Sequence, residues 1–141
     1  MNKVTHEVTK FLLENEKAAL RMLHHPNILK CFDIYQQERW CYIFTEYCNE
    51  GTLADLIKSK GSCRCNLGRL SEDDALDIFD SIVEGYKLCV EKKIAHRDLK
   101  PANILMHDGL PKISDFGYCE VAGYPKPNSY YNVGSPCYMS P

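Results

Sequence analysis

Polar side chains of complementary chemistry are concentrated in residues 94–105, IAHRDLKPANIL, where Asp98, Lys100 and Asn103 stand between apolar flanks. A second acid, Asp115, follows in the sequence ISDFGYC. One carboxylate can hold a hydroxyl group and accept its proton, and a carboxylate with an amide oxygen suits Mg²⁺. A lysine can balance negative charge that develops on a phosphoryl group. Together these groups predict phosphoryl transfer, which depends mainly on positioning and electrostatics.

Composition restricts the classes of protein that this chain could represent. Its 141 residues suffice for one domain or part of one. The hydrophobic content of 45% is that of a globular protein. A net charge of −2 gives no reason to expect nucleic acid as a partner. No apolar run is long enough to span a membrane, and the N-terminus has no signal-peptide core.

Eight cysteines are many for a chain of this length. By count alone they could form the disulfide framework of a secreted protein. Most of them, however, lie in or beside apolar runs, where a free cysteine behaves as a small hydrophobic residue. The one close pair, Cys63 and Cys65, lacks the spacing of a zinc site. We therefore expect reduced thiols in a cytoplasmic protein.

A helix carrying one unusual charge is predicted at the start of the chain, over residues 6–23. Its apolar side chains share one face with Glu16 at helical spacing. They are Leu12, Leu13, Leu20 and Leu23. A buried carboxylate is costly unless a cation pairs with it. Taken alone, this pattern is most simply explained by a surface glutamate on a slightly rotated helix.

Two strands and a short helix are predicted next. Residues 28–35 and 39–47 are rich in β-branched and aromatic side chains and are joined by the polar sequence QQER, which is typical of a hairpin. The sequence TLADLIKSK, residues 52–60, predicts a short helix. The Gly- and Cys-containing residues 61–69 predict an exposed loop.

A second long helix is expected to begin after Ser71, a good N-cap followed by three acidic residues, and to continue to about Glu91. Strands are predicted at 104–107 and 111–113, because Asp-Gly between apolar runs is a strong hairpin signal. This hairpin should bring Asn103 and Asp115 close together. Residues 118–141 show no periodicity and predict one long loop. The predicted fold class is α+β.

The motifs HRDLKPAN, residues 96–103, and DFG, residues 115–117, resemble those of eukaryotic protein kinases in order and spacing. A glutamate-bearing helix precedes them and GSPCYMSP follows them, as in that family. The resemblance implies a two-lobed kinase fold with ATP and Mg²⁺ as cofactors. The lysine of DLKPAN and the serine of GSP favour serine/threonine protein substrates.

The resemblance implies a role for each polar residue. Asp98 matches the catalytic base, and Lys100 matches the lysine that contacts the transferred phosphate. Asn103 and Asp115 match the two Mg²⁺ ligands. Glu16 matches the helix glutamate that pairs with the ATP-positioning lysine, which would account for a charge within an apolar stripe.

Several residues match positions around the nucleotide and the substrate. Glu46 and Cys48 match the hinge residues whose backbone groups bind adenine, and Leu105 matches the residue packed beneath it. Thr45 matches the gatekeeper. Ser135 matches the substrate-loop residue that bonds to the catalytic Asp and Lys.

Two further features of the family have matches here. One is the apolar stack that links the two lobes, which would consist of Leu20, Cys31, His96 and Phe116. The other is regulation by phosphorylation of the activation loop, in which a phosphate at Ser129, Tyr130 or Tyr131 would pair with Arg97.

The sequence also departs from the family pattern. It contains no Gly-rich phosphate-covering loop and no V-A-I-K lysine, and it ends at Pro141. We therefore expect a partial kinase domain, truncated at both ends. Residues 1–47 would be the remainder of the N-lobe, a helix and two strands, and residues 48–141 the hinge and the first part of the C-lobe with the activation segment. By itself such a fragment should have no appreciable activity.

Two other functions fit part of this pattern. One is a non-catalytic, kinase-like remnant that acts as a binding or scaffold module, since the ATP-positioning lysine is missing. The other is a small-molecule phosphotransferase of kinase-like fold. The GSPCYMSP segment disfavours the second, because a protein-substrate loop is not needed there. Protein substrate and ATP remain the expected partners, and regulatory partners cannot be read from the sequence.

Overall fold

The computed structural model describes residues 3–38, 40–61, 70–124 and 133–139 of the chain. The helices are α1 (Lys3–Met22), α2 (Leu53–Gly61) and α3 (Glu72–Glu91). The strands are β1 (Cys31–Gln36), β2 (Cys41–Thr45), β3 (Ile94–Ala95), β4 (Ile104–His107), β5 (Leu110–Ile113) and β6 (Glu120–Val121). Single 3₁₀ turns occupy Pro101–Asn103 and Pro136–Tyr138. The α+β class is confirmed.

Helix α1 packs one face into the core, but this face is rotated from the predicted one, because Leu12 and Leu13 are only partly buried. The residues of this face that are less than one-tenth exposed are Phe11, Asn15, Ala19, Leu20 and Leu23. Four-residue steps from Phe11 to Asn15 to Ala19 place these three side chains one above the other. The centre of the buried stripe is therefore the uncharged Asn15, and the neighbouring Glu16 is only partly buried.

Strands β1 and β2 form the predicted antiparallel hairpin. The ladder runs from Cys31 opposite Thr45 to Gln36 opposite Cys41, with an irregularity between Cys31 and Asp33. The turn is closed by a hydrogen bond from the Gln37 amide to the Trp40 carbonyl. The Trp40 side chain is 66% exposed. One face of the hairpin packs toward α1 through half-buried Cys31 and neighbouring apolar residues.

Helices α2 and α3 have well-formed N-termini. Thr52 and Asp55 cap α2 reciprocally, because each side chain accepts a hydrogen bond from the backbone amide of the other. Ser71 is the N-cap of α3, as predicted, and its hydroxyl accepts from the amide of Asp74. Each cap satisfies amides that have no partner within the helix.

The β4–β5 hairpin joins the first part of the chain to the second. Its turn has Asp108 and Gly109 at φ values of 49° and 76°, the left-handed pair that Asp-Gly favours in a two-residue hairpin. Ile113 donates to the Asn27 carbonyl, and its own carbonyl accepts from Leu29. The segment after α1 is therefore fixed against β5, directly before Asp115.

The prediction of one long loop over 118–141 is wrong in part. Strand β6 pairs with β3, with Ile94 opposite Val121, and a 3₁₀ turn forms at Pro136–Tyr138. A two-residue strand has too few positions to show an alternating pattern, so tertiary pairing decides it. Residues 62–69 and 125–132, which include most of the predicted cysteine loop and the loop phosphorylation sites, lie outside the described residues.

Two predictions about the chain as a whole can be checked against the structure. None of the helices in the described ranges has both the length and the apolar composition needed to cross a bilayer. The six cysteines with described structure, all except Cys63 and Cys65, are free thiols.

Candidate active site

A short connection after β3 places Asp98. Arg97 adopts a φ of 69°, a left-handed conformation that is uncommon for a residue other than glycine and is concentrated at functional sites. The buried His96 side chain stabilises this turn, since Nε2 lies 3.0 Å from the Ser114 carbonyl and Nδ1 accepts from the Asp98 amide. The ring of His96 also packs against Phe116, with 4.8 Å between centroids. The HRDLKPAN and DFG motifs are thus in direct contact.

The Asp98 carboxylate is bound by three donors. Lys100 Nζ lies 2.8 Å from Oδ2, and Asn103 Nδ2 lies 2.9 Å from the same oxygen. The Ser135 backbone amide donates to Oδ1 at 2.9 Å. Lys100 Nζ also lies 2.7 Å from the Ser135 hydroxyl oxygen. The contacts predicted between Ser135, Asp98 and Lys100 are therefore present.

The charges of this cluster are mutually stabilised. Burial raises the pKa of the Asp98 carboxyl, but the hydrogen bonds from Lys100, Ser135 and Asn103 outweigh it and leave the pKa below its ordinary value. The hydrogen bond to Asp98 raises the pKa of the Lys100 ammonium. Both groups are therefore ionised at neutral pH, as a carboxylate and an ammonium.

A cleft of about 420 Å³ opens beside Asp98. It is lined by Tyr86, His96, Arg97, Asp98, Leu99, Val133, Ser135, Tyr138 and Met139. One wall depends on Gly134, whose φ is 116°, because a Cβ atom there would lie 2.4 Å from the Arg97 carbonyl oxygen. No larger residue could bring the Ser135 loop this close to the Asp98 loop.

Ser114, which lies between the end of β5 and Asp115, holds Asp115 next to Asn103. The Ser114 amide and hydroxyl both donate to the Asn103 carbonyl at 2.9 Å. Asp115 adopts a φ of 60°, and its carboxylate is exposed apart from a hydrogen bond from the Gly117 amide. Carboxylate and amide oxygens are the hard ligands that Mg²⁺ prefers. The described residues contain no cluster of three or more acidic, His or Cys side chains suited to a metal.

The predicted hinge presents backbone groups for a ligand. Within the described residues, neither the Glu46 carbonyl nor the Cys48 amide takes part in a hydrogen bond. An acceptor and a donor two residues apart fit the edge of an adenine ring. Leu105 is half-buried on β4 opposite Thr52, and the next residue of the strand, Met106, bonds to Glu50 and Gly51, which follow the predicted hinge in the chain.

The Glu46 side chain is fixed by a lysine that the motif analysis missed. Lys112 Nζ lies 3.1 Å from Glu46 Oε1 and 2.9 Å from the Pro26 carbonyl oxygen. The Lys30 amide donates to the same carboxylate oxygen at 2.7 Å. Burial raises the pKa of Glu46, but these bonds have a larger effect in the opposite direction and leave the pKa below its ordinary value. The available signal was a charged residue inside the apolar run LPKIS.

Glu16 is half-buried on α1, toward Asp115. Burial, and then the charge of Asp115, raise the pKa of its carboxyl group. No ion pair to Glu16 forms among the described residues. The predicted pairing with a lysine thus stays a prediction. Its position near Asp115 agrees with a place at the edge of the nucleotide site.

The predicted apolar stack is assembled from both parts of the chain. Leu20, Phe116 and His96 are each less than one-tenth exposed, and Leu20 and Phe116 belong to the same core cluster. Cys31 packs against this cluster while remaining partly exposed.

Comparison with known proteins agrees with this geometry. A family model described as the protein kinase domain matches residues 2–141. Serine/threonine-protein kinase Nek8 of Danio rerio is 39% identical over 130 residues, covering 91% of this chain and 18% of the relative. Probable serine/threonine-protein kinase fhkD of Dictyostelium discoideum is 35% identical over 139 residues, covering 94% and 18%. MAP kinase kinase kinase wis4 of Schizosaccharomyces pombe is 33% identical over 141 residues, covering 92% and 10%.

The chain spans less than one fifth of the length of these three relatives, while they match more than nine tenths of the chain. The matched region includes both motifs and all the side chains that surround Asp98. The chain belongs to the protein kinase domain family.

Proposed function

We propose that the full-length natural protein transfers the γ-phosphate of ATP to serine or threonine hydroxyls of protein substrates. The observation that carries this proposal is the buried Asp98 carboxylate, held by Lys100, Asn103 and Ser135 at the edge of a cleft. The serine/threonine kinases among its relatives support the same activity.

Asp98 has room for one more hydrogen bond. A carboxylate offers about four lone-pair sites, and three are occupied, two on Oδ2 and one on Oδ1. The remaining site on Oδ1 can accept from a substrate hydroxyl and orient its oxygen for attack. Because the pKa of Asp98 is below its ordinary value, the acceptor is charged throughout the neutral range.

Lys100 and Ser135 complete the acceptor side of the site. The Lys100 ammonium lies between the Asp98 carboxylate and the Ser135 hydroxyl, so it can contact a transferring phosphoryl group without leaving either partner. Such a fixed charge stabilises a transition state without having to reorient. The Ser135 segment forms a wall of the cleft in which an extended substrate would lie.

The proposed nucleotide site would consist of backbone groups for adenine and oxygen ligands for Mg²⁺. The Glu46 carbonyl and the Cys48 amide would bind the adenine edge, with Leu105 beneath the ring and Glu16 near the phosphates. Asn103 and Asp115 would bind Mg²⁺, which neutralises phosphate charge when present. In this assignment residues 1–47 belong to the upper lobe, and residues 48–141 comprise the hinge and part of the lower lobe. Free thiols support a cytoplasmic location.

A transfer assay tests the proposal. The full-length protein is incubated with Mg²⁺-ATP and peptides that differ only in a serine, threonine or tyrosine acceptor, with a small alcohol in a parallel reaction. We expect labelling of the serine and threonine peptides. Asp98→Asn should lower the rate about 10²–10⁴-fold, whereas Asp80→Asn, at an exposed position of α3, should not change it.

Each alternative function has its own result in this assay. Nucleotide binding with no transfer to any acceptor would favour the non-catalytic binding module. Labelling of the alcohol but of no peptide would favour a small-molecule phosphotransferase. Full activity of Asp98→Asn would contradict the role assigned to this carboxylate.

A further inference from the structure

One fully buried side chain connects α1 directly to the start of the activation segment. Asn15 is 0% exposed, and its Oδ1 accepts a hydrogen bond of 2.8 Å from the Val121 backbone amide in β6. Its Nδ2 donates to the Phe11 carbonyl, also at 2.8 Å. Asn15 and Val121 are 106 positions apart in the chain. The bond therefore joins α1, near the start of the chain, to β6, which follows the DFG motif.

The bond takes the place of a third strand. On its inner edge β6 pairs with β3, and the Ala122 amide donates to the Lys93 carbonyl. In an antiparallel strand successive amides point to opposite sides, so the Val121 amide points away from β3 and toward α1. A buried backbone amide without a hydrogen-bond partner destabilises the folded state. Asn15 supplies the missing acceptor on the edge of β6 that faces away from β3, where none of the described strands pairs with it.

A residue needed only to fill the core would be apolar at this position. The other buried residues of the α1 stripe, Phe11, Ala19, Leu20 and Leu23, are hydrophobic. Burying an amide is unfavourable unless it is hydrogen-bonded, and both ends of Asn15 are bonded only while α1 and β6 are in this arrangement. The side chain thus makes one relative position of the two elements more stable than others.

The elements that Asn15 connects lead to both functional motifs. Strand β3 runs directly into His96 and Asp98, and β6 begins shortly after Asp115–Gly117. On the other side of the bond, Glu16 is the next residue of α1 and lies near Asp115. A shift of α1 would therefore strain or break the Val121 bond.

We propose that Asn15 is a positioning residue that couples the placement of α1, and with it Glu16, to the geometry of the Asp98 and Asp115 loops. The kinetic part of this inference rests on the proposed kinase function. Asn15 is fully buried and does not line the cleft beside Asp98, so its effect would be on the alignment of the groups that do.

Asn15→Leu in the full-length protein tests the coupling, with Asn27→Leu as the matched control. Asn27 is also a buried asparagine whose amide donates to a backbone carbonyl, that of Pro111, but it contacts neither β6 nor Glu16. The first measurement is hydrogen exchange of the backbone amides. Relative to the amides of α3, which report any change in global stability, we expect Asn15→Leu to speed exchange about 10-fold or more both at Val121 and across α1, and Asn27→Leu to change neither.

Kinetics give the second measurement. A coupling of typical size predicts that Asn15→Leu lowers kcat about 10-fold, with KM for the peptide unchanged. Asn27→Leu should keep kcat even where its loss of thermal stability is equal. Unchanged exchange at Val121, faster exchange at β6 without any change in α1, or an equal loss of kcat in both variants would overturn the proposal. A wild-type protein that transfers no phosphate, yet shows the paired exchange effect, would refute the kinase function and leave the α1–β6 coupling intact.

Discussion

Asn103 donates its side-chain amide to Asp98 twice, to the backbone carbonyl and to carboxylate oxygen Oδ2, each at 2.9 Å. The amide nitrogen faces the Asp98 carboxylate, so the amide oxygen must face away from it. The same side chain that holds Asp98 thus presents a hard oxygen on the other side, where a metal ion would bind. A mutation can therefore remove the Asn103 donor to Asp98 while keeping an oxygen ligand at the same position.

Asn103→Asp should separate these two roles. The new carboxylate keeps an oxygen ligand for Mg²⁺ but replaces a donor to Asp98 with a like charge, which should raise the pKa of Asp98. A hydrogen bond to a charged group contributes about 1.5–3 kcal/mol, so we expect kcat to fall about 10- to 100-fold. Asn103→Leu removes both roles and serves as the comparison. If both variants weaken Mg²⁺ binding equally, the amide oxygen is not the ligand.

Asp115→Asn should weaken Mg²⁺-dependent nucleotide binding. If Asp115 is a Mg²⁺ ligand as proposed, its exposed carboxylate would supply negative charge to the ion, and the substitution removes that charge while keeping the size and an oxygen. We expect the Mg²⁺ midpoint for binding of a fluorescent ATP analogue to rise about 10-fold or more. The control is Asp108→Asn, which neutralises another exposed aspartate at positive φ, in the β4–β5 turn. A midpoint that is the same in wild type and Asp115→Asn would exclude this residue as a ligand.

Lys112→Met should destabilise the junction between the hinge and β5 in a pH-dependent way. Without the ammonium, the largely buried Glu46 carboxylate and the Pro26 carbonyl each lose a donor, for a cost of about 1.5–3 kcal/mol. Because the folded pKa of Glu46 lies below its ordinary value of 4.5, its contribution is present above pH 4.5 and is lost as the pH falls through the folded pKa.

Thermal unfolding as a function of pH measures this effect. The difference in Tm between wild type and Lys112→Met should be largest at neutral pH and shrink below pH 4.5. Lys112→Met in a Glu46→Gln background should cost much less at neutral pH, because the carboxylate charge is gone. A Tm difference that stays constant from neutral to acid pH would show that Lys112 acts by packing alone.

Two cysteines should resist thiol reagents in the folded protein. Burial raises the pKa of Cys89 to about 11 and that of Cys119 to about 12, so almost no thiolate forms at neutral pH. Cys137 is exposed. Alkylation followed by peptide mass spectrometry should modify Cys137 before Cys89 and Cys119, and leave this buried pair unmodified until the protein unfolds. Modification of Cys119 at the rate of Cys137 under native conditions would contradict its place in the core.

Regular, long elements were predictable because local signals agreed with tertiary packing. The α3 helix combines a Ser71 cap, an acidic first turn and continuous apolar periodicity, and all three signals point to the same start. The β4–β5 hairpin follows from Asp-Gly at its turn. The hydrogen-bonded cluster of Asp98, Lys100 and Asn103 could be anticipated because the three residues lie within six positions of one another, and their catalytic roles stay predictions.

Long-range polar contacts were not predictable from the same reasoning. Asn15 looks unremarkable beside the charged Glu16, and only the distant Val121 amide explains why it is buried. Lys112 likewise finds its carboxylate across 66 positions of the chain. Strands β3 and β6 are two residues long, so their pairing depends on the packing of α1 rather than on any pattern of their own.

The exposed indole at the end of the β1–β2 hairpin determines what optical methods can see. Trp40 is the single tryptophan of the 141 residues and is 66% exposed. Its emission reports the hairpin turn, already in water before unfolding, and the core around Phe116 has no tryptophan of its own. A denaturation curve followed by the emission of Trp40 would show little change while the core around Phe116 unfolds. A tryptophan introduced at Phe79, an exposed aromatic position on α3, would provide a second reporter for that half of the chain.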